Sequence, residues 1–215
     1  MQEKNRAAVF DLDGTLLDSG ITFHRIVNEL KNKLGQSEVD YELVRKYSSR
    51  GASLILKNCF PNIDEKLLKK LRNDFLKRYE EIIVDNLVLY EGVEVMLENL
   101  QANSIKWGIV TNKSQKYTHP IVEKLGWLSV PLICPEDVVV AKPDPEGLLK
   151  VLKKLECDPK VSFYIGDHER DIETGINAGT KTVSCSWGYY ESDPKSWNAN
   201  FFIDSPLELI RLSLI

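Results

Sequence analysis

Ala7-Ala8-Val9-Phe10-Asp11-Leu12-Asp13-Gly14-Thr15, near the N-terminus, sets a short apolar run directly against two carboxylates. Four consecutive apolar residues suit a strand covered on both faces, as in a parallel sheet. In an open α/β sheet ligands bind beyond the carboxyl ends of the strands, so Asp11 and Asp13 fall where chemistry is expected. Gly14 lets the chain turn sharply without a Cβ penalty, and Thr15 brings a hydroxyl and an N–H beside the acids. An isolated Asp-x-Asp is as readily a solvated acidic turn, so the reading depends on what the rest of the chain brings to it.

Two carboxylates next to a dianionic substrate would repel it unless positive charge and hydrogen-bond donors compensate. The chain supplies candidates in order. Ile105-Lys106-Trp107-Gly108-Ile109-Val110 reads as a second buried strand, ending in the hydroxyl of Thr111 and the amide of Asn112. Lys142 is followed by Pro143-Asp144-Pro145, which halts any helix and fixes the lysine on a loop before a helical pattern carrying Leu148, Leu149, Leu152 and Leu155. Val161-Ser162-Phe163-Tyr164-Ile165 reads as another buried strand and runs into Gly166-Asp167, with Asp171 four residues on. Taken singly, Thr-Asn is a turn, a lone Lys a solvated charge and Gly-Asp a loop start.

Together and in this order, Asp11-Leu12-Asp13-Gly14-Thr15, Thr111-Asn112, Lys142 and Gly166-Asp167-His168-Glu169-Arg170-Asp171 resemble the four motifs of the haloacid-dehalogenase-like hydrolase superfamily, over nearly the whole chain. Within it the chain is similar to the phosphoglycolate phosphatase branch, through Val110-Thr111-Asn112-Lys113, Lys142-Pro143-Asp144-Pro145, Asp171-Ile172-Glu173, Asn177-Ala178-Gly179 and Gly188-Tyr189. It is also similar to the N-acetylmuramic acid 6-phosphate phosphatases, through Leu132-Ile133-Cys134-Pro135 and Glu169-Arg170-Asp171-Ile172-Glu173. Motifs alone do not separate the two groups.

Residue chemistry and the resemblance imply the same reaction, a Mg²⁺-dependent hydrolysis of a phosphomonoester. Asp11 would attack phosphorus and form an aspartyl-phosphate, splitting one difficult displacement into two. Asp13 would protonate the leaving alcohol and later take a proton from water, which requires an environment that raises its pKa. Mg²⁺ suits the site because it prefers oxygen ligands and is held by one or two carboxylates plus substrate phosphate. Asp11 and Asp167 are the expected carboxylate ligands. The resemblance adds the backbone carbonyl of Asp13 and gives Asp171 the ordering of a metal-bound water or of Lys142. Thr111 and the backbone N–H of Asn112 would hold phosphoryl oxygens while Lys142 neutralises Asp11 and phosphate.

From Thr15 onward the pattern is helical for about seventy residues. Phe23, Ile26, Val27, Leu30 and Leu34 recur at helical spacing and stop at Gly35, and Leu67, Leu68, Leu71, Phe75, Tyr79, Ile82 and Ile83 mark a longer helix. Leu87-Val88-Leu89-Tyr90-Glu91-Gly92 returns the chain to alternating helix and strand. The expected fold is α/β: a doubly wound, Rossmann-like parallel sheet core over residues 1–17 and 87–215, with an inserted all-helical cap over 18–86. The resemblance implies that the cap closes over the site and supplies substrate contacts. Thr15, Arg50 and Lys113 are the candidates for substrate binding. Arg50, in the polar turn Tyr47–Ser53, could pair bidentately with a substrate carboxylate or simply be a solvated arginine. His24, His119 and His168 read as structural or surface residues.

The 215 residues carry a net charge of -4, which leaves no electrostatic footprint for nucleic acid. No apolar run approaches a membrane span, and Met1–Arg6 leads into the first strand rather than a signal-peptide core, so a cytoplasmic protein without nucleic-acid or membrane partners, monomeric or homodimeric, is expected. Cys59, Cys134, Cys157 and Cys185 are too widely spaced for a metal or disulfide framework and read as buried thiols. The expected substrate is a small phosphate ester, with 2-phosphoglycolate first and N-acetylmuramic acid 6-phosphate or another sugar phosphate as the alternative. A phosphosugar mutase would use the same motifs, intercepting the phosphoaspartate with a sugar hydroxyl. A non-catalytic phosphometabolite-binding regulator is the reading outside catalysis. Asp13 argues against a dehalogenase, which has no alkoxide to protonate.

Overall fold

A computed structural model describes residues 5–213. Six parallel strands, β1 (Ala7–Phe10), β2 (Lys106–Val110), β3 (Leu132–Ile133), β4 (Phe163–Gly166), β5 (Lys181–Cys185) and β6 (Phe201–Ile203), form one sheet in the order β3-β2-β1-β4-β5-β6. The chain builds outward from β1 to β3, then returns to β1's other side and builds outward to β6. The order therefore reverses beside β1, and an α/β sheet opens its ligand crevice at such a reversal. Val9 pairs with Gly108 on one side and Tyr164 on the other, so the ends of β1, β2 and β4 lie level with one another.

Alternation along β1 decides what covers each face. Ala7 and Val9 belong to a cluster with Leu148, Val151, Leu152 and Leu155 of α7 (Glu146–Leu155) and Ala178 of α8 (Glu169–Ala178). Ala8 and Phe10 join the larger cluster on the opposite face, with Val93, Met96, Leu97 and Leu100 of α5 (Val93–Ala102) and Ile121 and Val122 of α6 (Gln115–Lys124). A final helix, α9 (Glu208–Ser213), packs on α5. Two strands start later than their apolar runs suggest. Ile105 closes a backbone bond to Leu100, so β2 begins at Lys106. Asp158 accepts from the Lys160 N–H and curls Pro159–Val161 into a 3₁₀ turn, so β4 begins at Phe163.

Between β1 and α5 the chain is helical: α1 (Ser19–Lys33), α2 (Tyr41–Tyr47), α3 (Ala52–Cys59) and α4 (Glu65–Ile82), with short 3₁₀ turns at Ser48–Arg50 and Val84–Asn86. Asp64 caps α4 through the Leu67 N–H at 2.7 Å, and the predicted stripe supplies its buried residues Leu71, Phe75, Tyr79 and Ile82. Phe23 of α1 packs between the rings of Phe75 and Tyr79, with centroids 5.7 and 5.0 Å away. The two connections to the sheet run side by side. Leu17 and Leu89 form an antiparallel bridge, Asp18 N–H donates to Val88 and Tyr90 N–H to Leu16. Among the described residues no helix is long and apolar enough to cross a membrane.

Phe75→Ala should remove about 3 kcal/mol by leaving a cavity between α1 and α4. In a protein of this size that is a fall in Tm of roughly 10 °C, and differential scanning calorimetry measures it.

Candidate active site

Asp11 follows β1 and Asp167 follows β4, so two buried carboxylates meet beside the reversal in strand order. Asp171, in the first turn of α8, completes a group of three acids whose nearest oxygens lie within 4.8 Å of one another. Lys142 enters from the loop before α7 and places Nζ 2.9 Å from Asp11 Oδ1 and 2.7 Å from Asp171 Oδ1. Burial works against the lysine's charge, but Asp11 and Asp171 outweigh it and hold the ammonium above its ordinary pKa. Burial pushes the Asp11 carboxyl up to about 6, with Lys142 opposing and Asp171 adding to the rise. Among the described residues no lysine pairs with Asp167, and burial followed by the charges of Asp11 and Asp171 drives its pKa well above the carboxylate range.

The backbone is shaped around these acids. Gly14 adopts φ +86°, and a Cβ there would overlap the Asp167 carboxylate, so any other residue would displace the acid. Asp167 accepts from the Thr15 hydroxyl at 2.8 Å and the Tyr189 N–H at 2.7 Å. Thr15, expected at the substrate, therefore spends its hydroxyl on orienting an acid. Asn112 likewise uses its side-chain amide to clasp the Lys142 backbone, accepting from its N–H and donating to its carbonyl, each at 3.2 Å. The Thr111 side chain is buried, and its hydroxyl accepts from the Lys113 N–H at 3.2 Å. His168 caps α8 by accepting from the Arg170 N–H, and burial, then Arg170, depresses its pKa to about 4, in keeping with a structural role.

Asp13 points away from the acid triad. Lys113 Nζ lies 2.9 Å from both of its oxygens, and the hydroxyl of Ser19, at the start of α1, also donates to it. The Lys113 ammonium sits over the Tyr79 ring at 4.8 Å and the Phe23 ring at 5.6 Å. Lys113 is thereby paired with both oxygens of Asp13, a partner that the sequence spacing did not assign to it. Ser19 and Tyr79 carry no sequence signal for this role. The serine reads as an ordinary first-turn residue, and the tyrosine is one member of an apolar stripe.

Above these groups lies a cavity of about 330 Å³ that brings Asp11, Asp13, Thr111, Asn112 and Lys113 together under Phe23, Phe75, Leu76 and Tyr79. Ser48, Ser49, Gly51 and Ala52 also line it, but Arg50 does not. The Arg50 side chain turns outward, half exposed, and pairs through Nε with Glu191 at 2.7 Å. The arginines at the cavity are Arg72 and Arg170. Arg170 stood within the last motif, but its spacing from the acids gave it no role.

The donor set suits a hard divalent cation. With all three ionised, Asp11, Asp167 and Asp171 would set three carboxylates against the Lys142 ammonium, an excess of two negative charges in a buried all-oxygen cluster. Burial of such an excess is costly unless a cation balances it.

A family model described as haloacid dehalogenase-like hydrolase matches residues 8–185. An N-acetylmuramic acid 6-phosphate phosphatase of Pseudomonas putida is 38% identical over 211 residues, covering 95% of this chain and 94% of its own length. A phosphoglycolate phosphatase of Xanthomonas campestris is 36% identical over 208 residues, with 95% and 94% covered. A crystal structure from Haemophilus somnus superposes with a TM-score of 0.83 over 99% of this chain and 100% of its own, at 23% identity, and shares the fold.

Protons and metal should compete for Asp11. Because its folded pKa lies near 6 rather than 3.8, the metal-free protein loses stability as pH rises through that window. Mg²⁺ should therefore raise Tm at pH 7.5, and the increment should shrink as pH falls below about 6. Thermal shift measurements with and without Mg²⁺ across pH 5–8 check this.

Proposed function

The chain belongs to the haloacid dehalogenase-like hydrolase family and is a phosphatase of it, and from that premise we propose that its substrate is N-acetylmuramic acid 6-phosphate or a sugar phosphate of closely similar build. The observation that carries this is the cavity. Its volume of about 330 Å³ and its wall of Phe23, Phe75, Leu76, Tyr79 and Tyr117 offer more apolar surface than a two-carbon phosphate ester can cover. A hexose ring bearing methyl-containing substituents buries its apolar face against aromatic rings. The relative from Pseudomonas putida supports the same choice. 2-Phosphoglycolate is the second reading, favoured by the relative from Xanthomonas campestris.

In the proposed reaction residues 18–86 act as a cap whose helices roof the phosphoryl site and exclude water. Asp11 receives Lys142 and the Leu12 N–H on Oδ1, so attack on phosphorus falls to Oδ2 and gives an aspartyl-phosphate. Thr111 and the Asn112 N–H hold phosphoryl oxygens, and Lys142 keeps Asp11 ionised and correctly turned. Asp11 and Asp167 would hold Mg²⁺, with the Asp13 carbonyl and with Asp171 behind them, and the ion would neutralise phosphoryl charge. Asp13 passes a proton to the leaving alcohol and recovers one from the water that cleaves the aspartyl-phosphate. An arriving phosphate dianion competes for the Lys113 ammonium, and Asp13, so released, takes up from water the proton that it then passes to the leaving alcohol. Four buried free cysteines suit a reducing, cytoplasmic setting.

Phosphate release from N-acetylmuramic acid 6-phosphate, 2-phosphoglycolate and hexose 6-phosphates, with and without Mg²⁺, tests the assignment. The highest kcat/KM should fall on N-acetylmuramic acid 6-phosphate, and a higher value on 2-phosphoglycolate would select the second reading. Asp11→Asn and Lys142→Ala should each lower kcat by roughly 1000-fold or more. Lys113→Met should lower it by about 100-fold, the lower end of what a positioned general acid contributes.

A further inference from the structure

Arg170 stands in the first turn of α8, between Asp167 and Asp171 in sequence, yet its guanidinium hydrogen-bonds to neither acid. One arm, Nη2, crosses to the helical unit and donates to the Ser49 carbonyl at 2.7 Å. Its Nε is buried and has no hydrogen-bond partner. The side chain lines the cavity where Ser48, Ser49, Gly51 and Ala52 form the wall. A guanidinium offers five donors and cannot shed its proton, so a buried unpaired N–H on it is a vacancy for an acceptor. Arg72, the other arginine at the cavity, is exposed and can be satisfied by water. Arg50 is engaged by Glu191.

We propose that Arg170 is the specificity residue of this phosphatase, binding a carboxylate on the leaving-group portion of the substrate. The inference rests on the reading of the chain as a phosphatase for a carboxylate-bearing phosphomonoester, a property shared by N-acetylmuramic acid 6-phosphate and 2-phosphoglycolate. Anchored at Ser49, the side chain lines the cavity together with Ser48, Ser49, Gly51 and Ala52 of the helical unit. The phosphoryl end is already served by Lys142, Thr111 and the Asn112 N–H. A planar fork held at one end matches a carboxylate in direction as well as charge. Contact with Ser49 also means that the same side chain spans sheet and helical unit, so substrate bound to it touches both.

The test compares substrates with and without the carboxylate: N-acetylmuramic acid 6-phosphate against N-acetylglucosamine 6-phosphate, which lacks the whole lactyl ether, and 2-phosphoglycolate against ethyl phosphate, which differs in the carboxylate alone. In the unaltered protein kcat/KM should favour the carboxylate-bearing member of the preferred pair by about 30-fold or more, as expected for a charge-assisted contact. Arg170→Gln should collapse that ratio to within about threefold, chiefly through KM, while turnover of the carboxylate-free member persists; Arg170→Lys should retain part of the preference. Circular dichroism and Tm establish that the variants fold, and titration calorimetry with the free acid N-acetylmuramic acid gives a readout independent of turnover. An unchanged ratio, an equal loss on both members, or no preference in the unaltered protein would overturn the proposal. Preference for the 2-phosphoglycolate pair would instead overturn the amino-sugar reading and leave Arg170 to be judged on that pair.

Discussion

Three buried acids crowded around one ammonium govern this molecule. Asp11, Asp167 and Asp171 are drawn into the interior against the one ammonium of Lys142, and isolated carboxylates are not tolerated there. Each surrounding feature lowers that cost. Thr15 and the Tyr189 N–H hold Asp167, the His168 N–H donates to Asp171 at 3.1 Å, and the Leu12 N–H donates to Asp11 at 2.7 Å. Asn112 fixes the lysine by its backbone so that the ammonium need not search for its partners. The residual charge is what suits the cluster to a divalent cation, whose binding compensates the acids and offsets their repulsion of a phosphoryl group.

A second ion pair, Lys113 with Asp13, stands apart from the first and is bounded by the helical unit. Ser19 donates to its carboxylate, and the rings of Phe23 and Tyr79 flank its ammonium. Packing in α1 and α4 thus reaches the group that would carry the proton, whereas packing around β1 and β4 fixes Asp11 and Asp167, the proposed nucleophile and metal acid. Under the proposed mechanism the sheet would carry the phosphorus chemistry and the helices the control of the leaving group.

Much of this was legible in the chain, because the acids follow apolar runs that can only be buried strands and because Pro143 and Pro145 fix the position of Lys142. The helical insert declared itself through the spacing of Phe75, Tyr79 and Ile82. What escaped was direction. Arg50 sits in the expected turn between helices, but Glu191, 141 residues away in sequence, captures it. Arg170 was visible inside a motif, yet only folding brings the Ser49 carbonyl to it and leaves Nε buried. Thr15 and Asn112 carry the right donors for a phosphoryl group, but tertiary neighbours claim those donors first. Long-range pairs of this kind leave no periodicity to read, and the strand starts at Lys106 and Phe163 were shifted by local turns that an apolar run does not reveal.

The bridge between Leu17 and Leu89 places the two ends of the helical insert next to each other at the rim of the sheet. An insert that leaves and returns at one point imposes no spacing requirement on β1 and β2, so it can be lengthened, shortened or exchanged as a cassette without disturbing their register. The chemistry of phosphorus and the choice of leaving group are therefore separable in evolution and in engineering, with the Ser49 carbonyl as the point at which a transplanted roof would have to be refitted to the sheet.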